Sequence, residues 1–316
     1  MMSTDPFISI TIPAFKARYL REALASCLDQ TYSNFELIVV NDHSPENLDS
    51  IVKDFEDTRI RYYCNEKNCG ALNVVDNWNI CLEYCRGDYV ICMGDDDRLL
   101  PNCLEDYVKL IKKYPGLGLY HAWTELIDEN SDFFDIQSPR PEYENVYSLL
   151  WNRWDNREKQ FIGDFLFDVR FLRQNGGFFK LPMAWGSDDI SAIIAASKNG
   201  VANTQTLCFQ YRVNSQTITN SGNYGIKVEA IVQERAWYEL FLENRLPQND
   251  MEQKYYDVIC RNKNRFFDRK IGLYLGLGVR TSLRLFLKFW IKRKKMKLNS
   301  NVFGYALLVA LKSKRT

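Results

Sequence analysis

Three consecutive carboxylates, Asp95, Asp96 and Asp97, follow the apolar run 90–93 and a single glycine, Gly94. At ~4 Å and an effective dielectric near 20, each contact between ionised carboxylates costs on the order of 4 kcal/mol. A cluster of this kind therefore calls for a compensating charge. Mg²⁺ or Mn²⁺ suits it, because such hard cations take carboxylate oxygens, keep several waters and are commonly shared with substrate phosphates. A solvated acidic loop is the competing reading. A second pair, Asp188 and Asp189, lies in AWGSDDIS and opens a helical pattern. Carboxylates in a first turn can cap the helix, contributing roughly 0.3–1 kcal/mol each, or one of them can serve as a general base.

Other chemistries lack their residues. The chain has two histidines, His43 and His121, and no GxSxG elbow, so a nucleophilic triad is poorly supported. There is no GxxxxGK[ST] loop, and no GxGxxG follows the first strand-like run. Gly272, Gly276 and Gly278 fall in a basic tail, away from any strand–turn–helix context. The nine cysteines form no CxxC pair and read as reduced thiols rather than a disulfide or zinc framework. The first residues, MMSTDPF, carry neither a basic segment nor an apolar stretch of the secretory kind, which points to the cytoplasm.

The elements that must hold these groups alternate. Runs at 7–12, 35–41, 60–65 and 88–93 read as strands, and 19–30, 46–56 and 71–85 as helices. The run FELIVVN is apolar apart from Glu36 and its last residue, as a strand covered on both faces should largely be. A β-α-β-α-β-α-β order predicts an α/β fold with a doubly wound, mostly parallel sheet, whose ligands bind beyond the carboxyl ends of the strands. NDHS at 41–44 and the acidic triplet both lie at such ends. Later segments are less regular: strand-like runs at 116–128, 161–168 and 206–213, a helix at 188–200, and a polar linker at 214–225. Beyond it everything reads as helical. Apolar residues at 46% and aromatics at 14% suffice for a large core, which argues against disorder.

The ordered set ISITIPAFK, YLREALASCLDQTYSNFELIVVNDHS, NCG…NWN and GDYVICMGDDDRLLP resembles the inverting family-2 glycosyltransferases of the GT-A fold, of bacterial surface-polysaccharide type. The match spans roughly 7–213. It implies a Rossmann-like catalytic domain over 1–222 and a basic helical extension over 223–316. It also implies that Pro13, Ala14, Phe15 and Asp42 hold the nucleotide base, with Asn68, Gly70 and Asn79 beside the diphosphate. Asp96 becomes the metal ligand, flanked by Asp95 and Asp97, with Asp95 also near the ribose. Asp189 becomes the catalytic base, with Asp188 as its neighbour, and Tyr211-Arg212 matches a YR pair, Arg212 joining the nucleotide site. His43 stands where the family usually has glycine, Gly94 takes the first position of the commoner D-x-D pattern, and Asn214 stands where some members carry a histidine near the metal.

The implied reaction is a metal-dependent, inverting transfer of a hexosyl or hexosaminyl group. The donor is a nucleotide-diphosphate sugar, a UDP-sugar foremost, and the acceptor a hydroxyl of a glycan or lipid-linked molecule. Two other classes compete: a nucleotidyltransferase, which usually has a glycine-rich basic loop that PAFKARYL lacks, and a non-catalytic nucleotide-sugar or membrane-binding scaffold. No nucleic-acid partner is expected. From 261 to 316 there are 16 Lys/Arg against one acid, a net of +15 that leaves −14 on the first 260 residues. The tail thus points to an anionic partner. Its stretch 271–297 has about twenty largely apolar residues, a span-like length, yet Arg280, Arg284 and Lys288 recur along one helix side. A peripheral association with an anionic membrane at the inner face of the plasma membrane is the resulting expectation. A helical subdomain is the alternative.

Overall fold

The computed structural model describes residues 5–214 and 223–312. Most of the polar stretch 214–225 lies outside the described residues, as do the first four residues and the end of the chain after 312. Among the described residues, 5–180 with 187–214 form one compact unit, and 181–186 with 223–312 form a second.

The first unit begins as the spacing predicts. Strands β1 (Ile8–Ala14), β2 (Phe35–Asn41), β3 (Ile60–Cys64) and β4 (Tyr89–Cys92) alternate with helices α1 (Leu20–Leu28), α2 (Leu48–Lys53) and α3 (Val74–Tyr84). Parallel pairing joins β1 to β2 and β4, and β2 to β3. All seven residues of β2 are buried. Helix α1 turns Leu20, Ala23, Leu24 and Cys27 into the core, the face its periodicity predicts.

Next come β5 (Arg98–Leu99), α4 (Cys103–Lys113), β6 (Leu119–Ile127), β7 (Phe133–Ile136), β8 (Tyr143–Glu144), α5 (Val146–Trp154), β9 (Phe165–Asp168), α6 (Val169–Gln174), α7 (Ser187–Ala196) and β10 (Val201–Arg212). The ten-stranded sheet runs β3-β2-β1-β4-β9-β6-β10-β5, with β7 on β6 and β8 on β10. It is mixed rather than mostly parallel. Strand β9 runs antiparallel to both β4 and β6, while β10 is parallel to β6. Short strands without 3.6-period helices between them carry no signal of direction, so the sequence could not show this reversal. All nine cysteines are free thiols, six of them buried.

The second unit is helical: α8 (Tyr224–Asn244), α9 (Asp250–Thr281), α10 (Leu283–Lys292) and α11 (Ser300–Lys312). The stretch 271–297 is not one helix, because α9 stops at Ser282. Its first part is apolar for a packing reason. A Cβ on Gly272 would lie 2.9 Å from the Val302 carbonyl oxygen, and one on Gly276 2.5 Å from that of Ala306. Two glycines one turn apart let the backbones of α9 and α11 touch, as small residues do wherever helices pack closely. Among the described residues, no helix is long and apolar enough to cross a membrane.

Candidate active site

The three carboxylates of the triplet are not equivalent. Asp95 Oδ2 accepts from the backbone N–H groups of Phe15 and Lys16, each at 2.7 Å, and so ties the end of β4 to the end of β1. Asp97 is buried, and its Oδ1 accepts from Arg212 N at 2.9 Å, tying the triplet to the end of β10. Asp96 is half-buried, with Oδ2 accepting from Asn214 Nδ2 at 2.7 Å. Asp95 engages backbone through Oδ2, and among the described residues no group of three or more His, Cys, Asp or Glu side chains forms a metal cage.

A divalent cation shared with phosphates needs only one or two carboxylates, and here the geometry fits. Gly94 marks the place: a Cβ built on it would sit 2.9 Å from Asp96 Oδ1 and 2.9 Å from Asp97 Oδ2. Those two oxygens thus converge over a residue that has no side chain to fill the space. Burial and then the Asp96 charge push Asp95 up to about 6, and the same two causes raise Asp97 well above the carboxylate range. Crowding of this kind is what a bound cation relieves. Gly94→Ala is accordingly expected to weaken metal-dependent nucleotide binding at least tenfold, about 1.4 kcal/mol by calorimetry. Unchanged affinity would remove the cradle from the argument.

The other strand ends form a polar shelf. Ala14 and Asn41 are paired in register, and Asp42 N donates to the Ala14 carbonyl at 2.9 Å. Asp42 Oδ1 accepts from Asn65 Nδ2 at 2.8 Å and Cys69 N at 2.9 Å, and the Asp42 carbonyl accepts from Asn68 Nδ2 at 2.8 Å. Asp42 thereby orders the loop after β3, with Gly70 at φ 80° closing it. His43 has φ 50°, a left-handed conformation that favours glycine, which accounts for the residue the family usually places there. Phe15 is exposed at the rim and Pro13 lies within β1.

Two residues expected at the nucleotide also make bonds within the protein. Asn79 bonds both ways to the backbone of Phe178, accepting at 2.8 Å and donating at 3.1 Å. Its amide pins helix α3 to the loop after α6. Arg212 is buried, and its guanidinium donates to the Asp96 carbonyl, the Asp128 carbonyl, Ser131 Oγ and Glu22 Oε2, with Tyr19 stacked 4.1 Å away. Four of its five donors are spent inside the protein, so it braces the triplet from beneath and has little left for a phosphate. Arg212→Met should cost roughly 2–4 kcal/mol in urea unfolding, because several acceptors lose their partner together. A loss under about 1 kcal/mol, with nucleotide affinity falling instead, would restore the expected contact.

The acidic pair also divides. Asp189 is buried, its Oδ1 accepting from Arg153 Nε and Gln160 Nε2 at 2.7 Å each, with Arg153 Nη2 on Oδ2 at 3.2 Å. A two-pronged arginine fixes the orientation of a carboxylate. Asp189, the expected base, thus ties the first turn of α7 to α5 and the loop after it. Asp188 is half-exposed on the same turn. Tyr211 stacks on Phe161 with centroids 3.6 Å apart. Burial, then the charges of Asp97, Asp96 and Asp188, push its phenol well above the ordinary value. One ring thus feels carboxylates from both motifs. Arg153, Gln160, Glu22 and Asn65 were not singled out in the sequence. Each is a lone polar residue whose partner is remote in the chain, and nothing local marks it.

The carboxyl ends of β1, β2 and β4 gather Asp42 and the acidic triplet, the place where an open α/β sheet binds its ligand. The chain belongs to glycosyl transferase family 2, whose model matches residues 9–170. It is 31% identical over 273 residues to the Escherichia coli UDP-Glc:alpha-D-GlcNAc-diphosphoundecaprenol beta-1,3-glucosyltransferase WfgD, covering 85% of this chain and 98% of that one. An uncharacterised glycosyltransferase of Rickettsia typhi is 31% identical over 141 residues, 44% of this chain and 43% of that protein. The chain thus matches less than half the length of that relative. The 1–349 segment of Staphylococcus aureus TarS, in complex with UDP-GlcNAc, superposes with a TM-score of 0.67 at 12% identity, covering 98% of this chain and 92% of that one. At that identity the likeness speaks for the fold.

Proposed function

We propose that this protein transfers a hexosyl or hexosaminyl group, with inversion, from a UDP-sugar to a hydroxyl of a glycan or lipid-linked acceptor. The observation that carries the reading is the convergence of Asp96 Oδ1 and Asp97 Oδ2 over Gly94, in a triplet that Asp95 and Asp97 tie to the ends of β1 and β10. Family membership and the WfgD likeness support donor and acceptor class. Asp42 directs both of its side-chain bonds to Oδ1, which leaves Oδ2 for an N–H of the base. Asp96 and Asp97 would hold Mg²⁺ or Mn²⁺, which supplies Lewis-acid neutralisation of the diphosphate when bound.

Asp188 takes the proton of the acceptor hydroxyl as that oxygen attacks the anomeric carbon. The bond to the UDP oxygen breaks in the same displacement, so configuration inverts and UDP leaves with the electron pair. Asp189 keeps Asp188 in place through Arg153 and Gln160. The reaction belongs at the cytoplasmic side of a membrane, where a lipid-linked acceptor presents its sugar, as in the synthesis of a surface polysaccharide. Calorimetry of UDP with Mn²⁺ and then with EDTA should show at least tenfold weaker affinity without metal, about 1.4 kcal/mol. Turnover of UDP-glucose or UDP-N-acetylglucosamine by the wild type, absent in Asp96→Ala, tests the activity. If neither sugar nucleotide is bound or consumed, the proposal fails.

A further inference from the structure

Helices α10 and α11 bury one face each and leave the other apolar. Phe286 and Trp290 of α10 meet Phe303 of α11 at 5.4 and 4.8 Å, and Phe289, Val302, Ala306 and Val309 are buried in the same unit. A surface helix normally shows polar residues on the outer side. Here Leu283, Leu287 and Ile291, four residues apart, stand 63%, 53% and 77% exposed, and on α11 Leu308 and Leu311 stand 57% and 65% exposed. Leucines and an isoleucine set in rows are not the scattered single residues of an ordinary surface.

The charges say what covers them. Between residues 283 and 312 there are eight Lys/Arg and no acid. Arg284, Lys288 and Lys292 form a row displaced by one residue from Leu283, Leu287 and Ile291, hence about 100° around the helix. Lys288 reaches Glu229 at 2.9 Å, and Arg293 lies 4.4 Å over the Trp290 ring, a residue type that settles at lipid–water boundaries. A second copy of the chain would bring two strongly positive faces together, which opposes self-association. Nucleic acid would satisfy the cations and leave the leucines in water. An anionic lipid surface satisfies both.

We propose that α10 and α11 form a peripheral docking surface for anionic lipid, with Leu283, Leu287, Ile291, Leu308 and Leu311 entering the headgroup boundary and the flanking cations meeting lipid phosphates. This moves the docking surface away from the first part of 271–297, since Ile271 and Leu275 are buried within the unit. The proposal concerns the second unit alone and stands apart from the reading of the catalytic site.

The test is co-sedimentation of the full chain with vesicles of phosphatidylcholine, alone and mixed with phosphatidylglycerol. Binding to the mixed vesicles should exceed binding to the neutral ones roughly tenfold and weaken as salt rises. Ile291→Glu with Leu308→Glu should reduce it roughly tenfold, since both side chains point to solvent and carry apolar insertion. UDP affinity and the melting temperature of that variant should match the wild type, which separates lost docking from lost folding. Absence of vesicle binding would overturn the proposal, as would equal binding to neutral vesicles. A dimer that dissociates in the Ile291→Glu variant, without lipid binding, would also overturn it and make the face a contact between copies.

Discussion

Asp188→Asn is expected to lower transfer by roughly 10²–10⁴ while leaving UDP affinity within about twofold, because the base meets the acceptor and not the nucleotide. The neighbouring change should behave differently. Asp189→Asn removes the charge opposite Arg153 and leaves that guanidinium facing an amide. A buried ion pair that loses one partner costs about 3–5 kcal/mol, reduced to roughly 1–3 here because Arg153 keeps partial contact with water. The Asp189 variant should therefore melt earlier and retain a measurable share of its turnover when assayed well below that melting point. Two readouts separate the roles: single-turnover rate with saturating donor, and urea midpoint. A stable Asp189→Asn protein without turnover, beside an active Asp188→Asn protein, would falsify the assignment and return the base to Asp189.

The second large effect concerns the cation cradle. Asp96→Asn keeps the shape of the side chain and its bond to Asn214 in altered form, but removes the charge that pairs with Mg²⁺ or Mn²⁺. Loss of several kcal/mol of stabilisation of the departing diphosphate corresponds to roughly 10²–10⁴ in rate. Nucleotide affinity should lose its dependence on Mn²⁺ at the same time. Asp95→Asn should act mainly on stability, since its oxygen holds two backbone N–H groups at the end of β1. Titrating Mn²⁺ into each variant with UDP present distinguishes them. Equal metal dependence in Asp96→Asn and wild type would show that the cation is held elsewhere.

Both expectations began as spacing. The strands β1, β2 and β4 and the helix α1 were legible because alternation, apolar runs and 3.6-residue periodicity are local properties of a chain. The triplet at the end of β4 and the acidic pair at the start of α7 were legible for the same reason, since a strand end or first helical turn is a position along the sequence. The buried reduced state of most cysteines followed from their apolar neighbours. Even the departure at His43 had a local meaning, a left-handed residue where glycine is easiest.

What each carboxylate does was not local. Arg212 bonds to Asp96, Asp128, Ser131 and Glu22, and the partners in these bonds are 81 to 190 residues apart in sequence. Asp189 meets Arg153 and Gln160 across 36 and 29 residues. A carboxylate's chemistry depends on what else occupies its lone pairs, and those partners arrive only when strand ends converge. The same holds for the tail, where one apolar run divided at Ser282. Gly272 and Gly276 turned inward against α11, while α10 kept Leu283 and Leu287 in solvent. Composition showed that the run was apolar and basic, but which face met protein and which met water depended on helix packing, and packing is a property of pairs of segments that neither segment encodes alone.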